Sequence, residues 1–583
     1  MSQPPKTENP AKTKANLFSL LKGYRGQVTL LVVLAIAANA INLLIPKITA
    51  HSIDAYTRGT YSLSNTLTEF ILAGVGILVF TALQSVVQTY ASERVARDLR
   101  EKTAAKISRQ SYTYIQTASP SKLLTNLTSD IDSVKLFVSM AIVSLVSSLF
   151  LIIGASVLLL LTDWKLALVV LLIIPLIGGT FFVVFKRISA LFKKRQEIID
   201  WLNKVINESI LGSAIIRVLH SQAREHEKFR AANTDALNTG FGILKLFASM
   251  IPIITFVANL ATLAILLLGG HFVIQGSMTL GSFAAFNSYI AILIFPIIII
   301  GFMSNVIAQA TASYQRVSEV LDAPEEAAVG QKGGPLHGTI DVSDVTLTFG
   351  EKPTLKDVSF TIQSKSKTAI IGPTAAGKTQ LLNLLIGLLQ PTKGIITYDG
   401  TNINDYEKIN FHSQVGFVFQ DSIMFNLTIR ENIGFSTTVT NEALQKAIDT
   451  AELTDFIKEL PQGLDTIVSE RGASLSGGQK QRIMLARALA LDPKILFLDD
   501  FTARVDDNTE KRILSNLEKN YPDLTLISVT QKIASVEHYD QIILLMEGEI
   551  LGKGTHETLM ESCPEYVQIY NSQRSTNTYE LHA

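Results

Sequence analysis

The stretch KTAIIGPTAAGKTQLLNLLIGLL holds the first residues whose types and spacing could do chemistry. An apolar strand runs into Gly372, Pro373, Thr374, Ala375, Ala376, Gly377, Lys378 and Thr379, and an apolar helix follows with Gln380 in its first turn. Strand, glycine-bounded loop and helix make a phosphate-binding loop in the context it requires. Backbone N–H groups cradle phosphate oxygens, the lysine reaches the β- and γ-phosphates of ATP, and the threonine hydroxyl ligates Mg²⁺. A second strand, ILFLD, ends at Asp499, a carboxylate suited to hold Mg²⁺ directly or from the second shell. Asp500 follows it, and Gln531 lies downstream in VTQKI. Gln420, in VGFVFQD, could contact Mg²⁺ or water; taken alone, an exposed loop glutamine is the simpler reading. Phe349 could stack on adenine; taken alone, a core position is simpler. LSGGQKQR is a different kind of site. Ser476, Gly477, Gly478 and Gln479 form a turn that opens a helix, and the open N–H groups of a helix start bind anions. It lies far from the phosphate loop in sequence, so it would serve a second phosphate site.

The elements that must position these residues divide the chain in two. TIDVSDVTLTF and TLKDVSFTI read as strands ahead of the loop. Residues 338–575 therefore read as an α/β P-loop nucleotide-binding domain, with a tail at 576–583. The Pro-, Gly- and charge-rich residues 323–337 read as a linker. Before it, residues 16–322 read as a six-helix α-helical transmembrane domain. Its six apolar segments lie near 27–46, 68–91, 137–162, 165–186, 247–270 and 280–304, each able to cross a bilayer at about 20 residues per helix. Runs such as VSSLFLIIGASVLLLL are apolar on every face, unlike a soluble amphipathic helix. Residues 1–15 are polar and read as a disordered tail, without the apolar core of a secretory signal.

The connections give an orientation. Those between spans three and four and between five and six are short and almost free of Lys and Arg. Those after spans two and four are long and basic, which places them, both termini and the nucleotide-binding domain in the cytoplasm. Their helical periodicity predicts spans that continue beyond the membrane, with a short helix at each tip. The polar residues inside spans are Asn39, Asn42, Gln84, Gln88, Asn259 and Asn287. Each reads first as a helix–helix hydrogen bond, and as a set they could line a cavity. Lys+Arg and Asp+Glu are both 51, so net charge points to no nucleic-acid partner. The single cysteine, Cys563, excludes an internal disulfide.

The phosphate loop, LSGGQ, FLDD and VTQKI, in this order after six spans, resemble the ATP-binding cassette (ABC) family. The arrangement is similar to a half-transporter of the exporter (type IV) fold, and the likeness covers nearly the whole chain. It implies that two cassettes pair head to tail, each ATP lying between the phosphate loop of one and the LSGGQ of the other. Closure with ATP and reopening after hydrolysis would drive an inward-to-outward change in the membrane half.

Within that resemblance the chain departs at the reacting positions. Asp500 stands where the family has a glutamate that orients the attacking water. Gln531 stands where it has a histidine beside the γ-phosphate. One methylene less withdraws the carboxylate by roughly 1 Å or more, and misplacement on the order of 1 Å can cost about a hundredfold in rate. Glutamine can hydrogen-bond phosphate but carries no charge. Ala375, Ala376 and Gln380 replace the more usual Gly, Ser and hydroxyl residue, and Ala503–Asp506 replaces Ser-Ala-Leu-Asp. The expected function is a subunit of a heterodimeric ABC exporter of amphiphiles. Its own site would bind Mg²⁺ and ATP but hydrolyse poorly, and its LSGGQ would complete the site of a second half-transporter with intact glutamate and histidine. A bacterial inner membrane is the expected location. A slow homodimeric exporter and an exporter-fold uptake system for a metal chelate remain open.

Overall fold

The structure is a computed structural model that describes residues 17–325, 330–349, 352–469, 472 and 474–580. The expected N-terminal tail lies outside them. The chain forms two compact units. One comprises the described residues up to Arg109 together with Ala118–Pro324; the other comprises Gln110–Thr117 and the chain from Glu325 onward.

The first unit is built on six long apolar helical rods: α1 (Leu21–Thr57), α2 (Leu63–Ser108), α3 (Pro120–Thr162), α4 (Trp164–Leu211), α5 (Gln222–Ile274) and α6 (Leu280–Leu321). Each runs well past its apolar stretch. Pro46, Pro252 and Pro296 lie inside α1, α5 and α6 without ending them, as bilayer helices tolerate. α4 is interrupted at Leu172. Pro175 has no N–H for the carbonyl four residues back, so the ladder opens there. Short helices, Tyr112–Ala118 and Ser213–Val218, stand at the tips of the two long connections.

The most extensive contacts are α4 on α5, α1 on α2 and α3 on α6, and α1 also packs on both α6 and α3. Leu166, Ile177, Ile265, Phe286 and Leu293 are fully buried or nearly so in its main core. Leu72, Leu78, Val86 and Phe182 remain exposed. That much bare apolar surface marks a contact with a membrane or with another protein. Two of the six span polar residues make interhelical bonds: Asn39 Nδ2 donates to Ser147 Oγ at 2.9 Å and Gln88 Nε2 donates to the Ser139 carbonyl. Asn287 Nδ2 donates to the carbonyl of Phe283 on its own helix, and Asn259 is exposed.

The second unit contains two sheets. The smaller, antiparallel one has strand order β2-β1-β4-β5, with β1 Ile340–Phe349, β2 Lys352–Ile362, β4 Lys393–Tyr398 and β5 Thr401–Asn402. The larger has order β10-β9-β3-β8-β7-β6. Its β3 (Lys367–Ile371), β6 (Val415–Val418), β7 (Ile495–Asp499), β8 (Thr525–Thr530) and β9 (Gln541–Met546) run parallel, and β10 (Glu549–Gly554) is antiparallel. β7 and β8 are buried at every position, the signature of a parallel sheet covered on both faces. The last helix, Pro564–Glu580, runs past the expected domain boundary at 575. Tyr112 packs against this unit's core.

Candidate nucleotide site

Strand register brings the site together. Ile371 pairs with Thr530, and Asp499 with Val529. The chain therefore leaves β3, β7 and β8 at one level, with neighbouring strands about 4.8 Å apart. Gly372, Asp500 and Gln531 are the first residues beyond those ends. Val418 pairs with Leu498, so Gln420 emerges at the same edge. In open α/β sheets the carboxyl ends of the strands are where ligands bind.

The phosphate loop closes tightly on the sheet. A Cβ at Gly372 would stand 2.0 Å from the Leu545 carbonyl oxygen, and one at Gly377 (φ +98°) would meet Leu355 at 2.8 Å. No larger residue fits either place. Ala375 lies at φ +67°, in the left-handed region that costs a side chain about 1–2 kcal/mol. Lys378 begins the helix α7 (Lys378–Leu385) and is buried. Its Nζ donates to the carbonyls of Gly372 and Pro373 at 2.7 and 2.8 Å. Burial lowers its pKa, and the carboxylates of Asp500 and Asp499 pull it back up. Asp499 is 3% exposed. Burial raises its pKa, and a hydrogen bond from the Thr379 side chain opposes the rise. A buried ammonium with no ion pair among the described residues and a buried carboxylate beside a hydroxyl, at the mouth of an N–H-lined loop, suit a polyphosphate and a hard divalent cation.

Asp500 and Gln531 are held differently. Asp500 adopts φ +47° and its N–H donates to the Val529 carbonyl at 2.9 Å; its side chain is half-buried. Gln531 is exposed. Gln573 Nε2 donates to the Gln531 carbonyl at 2.6 Å, and Gln573 Oε1 accepts the Ile533 N–H at 3.0 Å. No sequence pattern linked Gln573 to the site, because its partner lies in a distant helix. Glu510 was missed for the same reason. It is buried, burial raises its pKa, and it bonds Ser535 behind the same turn. Gln420 is exposed. The Phe349 side chain lies outside the described residues.

The Ser-Gly-Gly turn opens helix α8 (Gly477–Leu489). Ser476 Oγ accepts the Gln479 N–H at 3.2 Å, and Gln479 Oε1 accepts the Ser476 N–H at 2.8 Å. This capping box leaves the N–H groups of Gly477 and Gly478 as the open donors of the helix start. Both glycines sit against Arg504: a Cβ at Gly478 would stand 2.9 Å from its carbonyl oxygen.

Six membrane-length rods and a phosphate-loop ATPase in one chain define a membrane transport ATPase. Residues 28–297 match the ABC transporter transmembrane region and residues 355–503 the ABC transporter ATPase. The chain is 31% identical to the uncharacterized ABC transporter ATP-binding protein YfiB of Bacillus subtilis, over 95% of this chain and 98% of that one. It is also 31% identical to an ATP-dependent lipid A-core flippase of Desulfotalea psychrophila, over 85% and 87%. The fold is similar to that of a bacterial Atm1-family ABC exporter solved with ATP bound, with TM-score 0.79 and 22% identity, covering 95% of this chain and 99% of that one. The chain belongs to the ABC transporter family. It is an integral multi-pass membrane protein with an exporter-fold membrane domain and an ABC ATPase domain, an ATPase-coupled translocase.

Proposed function

We propose that this chain is one half of a heterodimeric exporter of amphiphiles, with a nucleotide site of its own that binds MgATP and turns it over poorly. What carries the reading is Asp500. Its main chain is tied to β8 by the Val529 hydrogen bond, so the backbone has little freedom to carry a short carboxylate forward. The water-orienting group then falls short by about one methylene, on the order of 1 Å, which can cost about a hundredfold in rate. Gln531, on the neighbouring strand end, adds no positive charge.

The binding residues keep their roles. Lys378 would leave the loop carbonyls for the β- and γ-phosphates, the loop residues Gly372–Gly377 other than Pro373 would present N–H groups, and Thr379 and Asp499 would hold Mg²⁺, with Gln420 able to reach it. Bound MgATP supplies the phosphoryl group whose transfer to water releases the closed state. The open donors of Gly477 and Gly478 would complete the site of a partner half-transporter with intact glutamate and histidine. A lipid-like cargo is supported by the relatives named as lipid A-core flippases. The basic connections support cytoplasmic termini in a bacterial inner membrane.

The test is steady-state ATPase of the chain purified alone in lipid nanodiscs, beside the Asp500→Glu, Gln531→His double variant. Near-background turnover with retained ATP is expected for the unmodified chain, rising on the order of a hundredfold in the double variant. Robust turnover by the unmodified chain would overturn the reading in favour of a homodimeric pump.

A further inference from the structure

Behind the turn that follows β8, the nucleotide-binding unit buries a carboxylate that none of the roles above uses. Glu510 lies in the first turn of helix α9 (Asp507–Asn520). Asp506 caps that helix, its Oδ1 accepting the Thr509 N–H at 3.0 Å, so the helix start that carries Glu510 is fixed. Glu510 is 5% exposed. With Leu498, Ile513, Ser528, Ser535 and Tyr539 it lines a cavity of about 20 Å³, room for one water molecule.

A carboxylate in this place is costly. Its Oε1 has no hydrogen-bond partner among the described residues, and a buried polar atom left unpaired costs the desolvation of the group. Ser528 Oγ and the Tyr539 hydroxyl bond each other at 3.1 Å. Thr530 Oγ1 accepts the Lys532 N–H at 3.1 Å. The charges that reach Glu510, Lys532 from the turn and Asp507 and Lys511 from its own helix, act on it through space. Lys532 pairs with Asp507 instead, at 3.7 Å. Burial raises the Glu510 pKa, and a hydrogen bond with the Ser535 side chain opposes the rise. An apolar side chain of similar volume would fill the site without that cost, so packing does not account for a glutamate here.

What the carboxylate does hold is the turn. Ser535 stands four residues beyond Gln531, and between them the Val536 N–H donates to the Ile533 carbonyl at 2.9 Å. Gln573, in the last helix, grips the same turn at Gln531 and Ile533. The turn is thus held at its start by Gln573 and at its end by Glu510.

We propose that Glu510 is a positioning residue that holds, through Ser535, the turn bearing Gln531, and so supports the preference of this site for ATP over ADP. The second part rests on the reading that sets Gln531 beside the γ-phosphate; the hold on the turn does not. The test uses the full chain in lipid nanodiscs. Hydrogen exchange of the 532–536 amides, ATP and ADP affinities and the unfolding midpoint are measured for each variant.

Glu510→Met keeps the volume and removes the acceptor. It should speed exchange of these amides about tenfold, the scale of one hydrogen bond to a charged group. ATP affinity should fall about fivefold with ADP affinity unchanged, and the unfolding midpoint should not drop. Ser535→Ala should do the same, and the two changes together should add nothing further, as expected of partners in one bond. Glu510→Gln keeps an acceptor and should restore slow exchange. Unchanged exchange in Glu510→Met, equal loss of ATP and ADP, or a midpoint that falls in step with them would overturn the proposal in favour of a packing role. If Glu510→Met fails to fold, Ser535→Ala decides it from the other side of the bond. Gln531→Ala separates the two readings. It should lower ATP affinity alone; if it leaves the ATP to ADP ratio unchanged, the placement of Gln531 at the γ-phosphate fails, and the exchange rates still decide whether Glu510 holds the turn.

Discussion

The phosphate-loop half of the nucleotide site and its reacting half are built by different means. Lys378, Thr379 and Asp499 are secured through their side chains, by burial and by hydrogen bonds within the loop. Asp500 and Gln531 are secured through their main chains, by Val529 on one side and Gln573 on the other, and their side chains are left half-buried and exposed. Where the backbone is fixed and the side chain is not, side-chain length and charge alone decide what can reach the reacting atoms. A substitution at these positions can therefore remove chemistry while leaving binding intact.

The largest expected effect lies on the binding side. Lys378→Ala should weaken nucleotide binding on the order of a hundredfold, because it removes the buried charge proposed to reach the phosphates, a loss of about 3 kcal/mol. Titration of the purified chain with a fluorescent ATP analogue measures it; a change of less than a few-fold would mean that Lys378 stays on the loop carbonyls when nucleotide binds.

A smaller effect tests the main-chain anchoring. Gln573→Ala removes both hydrogen bonds that hold the turn after β8, worth about 1–2 kcal/mol together. Hydrogen exchange at the Ile533 amide should accelerate accordingly, while ATP affinity stays within a few-fold. Unchanged exchange would show that the turn is held by other contacts.

The smallest effect concerns the loop itself. Ala375→Gly should relieve the left-handed backbone and stabilise the nucleotide-binding unit by up to about 1 kcal/mol, after the extra chain entropy of glycine is subtracted. Thermal unfolding without nucleotide reports it, and an unraised midpoint would remove strain as the account of that position.

Much of this protein was legible in its sequence because the signals are local. All-round apolar runs mark helices that only a bilayer can solvate, and strand–loop–helix spacing marks the phosphate loop. The SGGQ turn announces its own capping box, since donors and acceptors lie three residues apart. The pair Asp499 and Asp500 at a strand end is likewise readable without coordinates.

What the tertiary structure decided is what depends on distant neighbours. The sheet order β9-β3-β8-β7-β6 sets the phosphate loop, Asp500 and Gln531 side by side, although nearly 160 residues separate the first from the last. Gln573 and Glu510 serve the turn after β8 from helices with no motif of their own. Gly301 lies so close to Phe181 of another helix that a Cβ there would stand 2.2 Å from its ring. Local sequence fixes backbone conformation and solvent preference, whereas cavities, long-range hydrogen bonds and strand order arise from packing between segments that composition and periodicity do not connect.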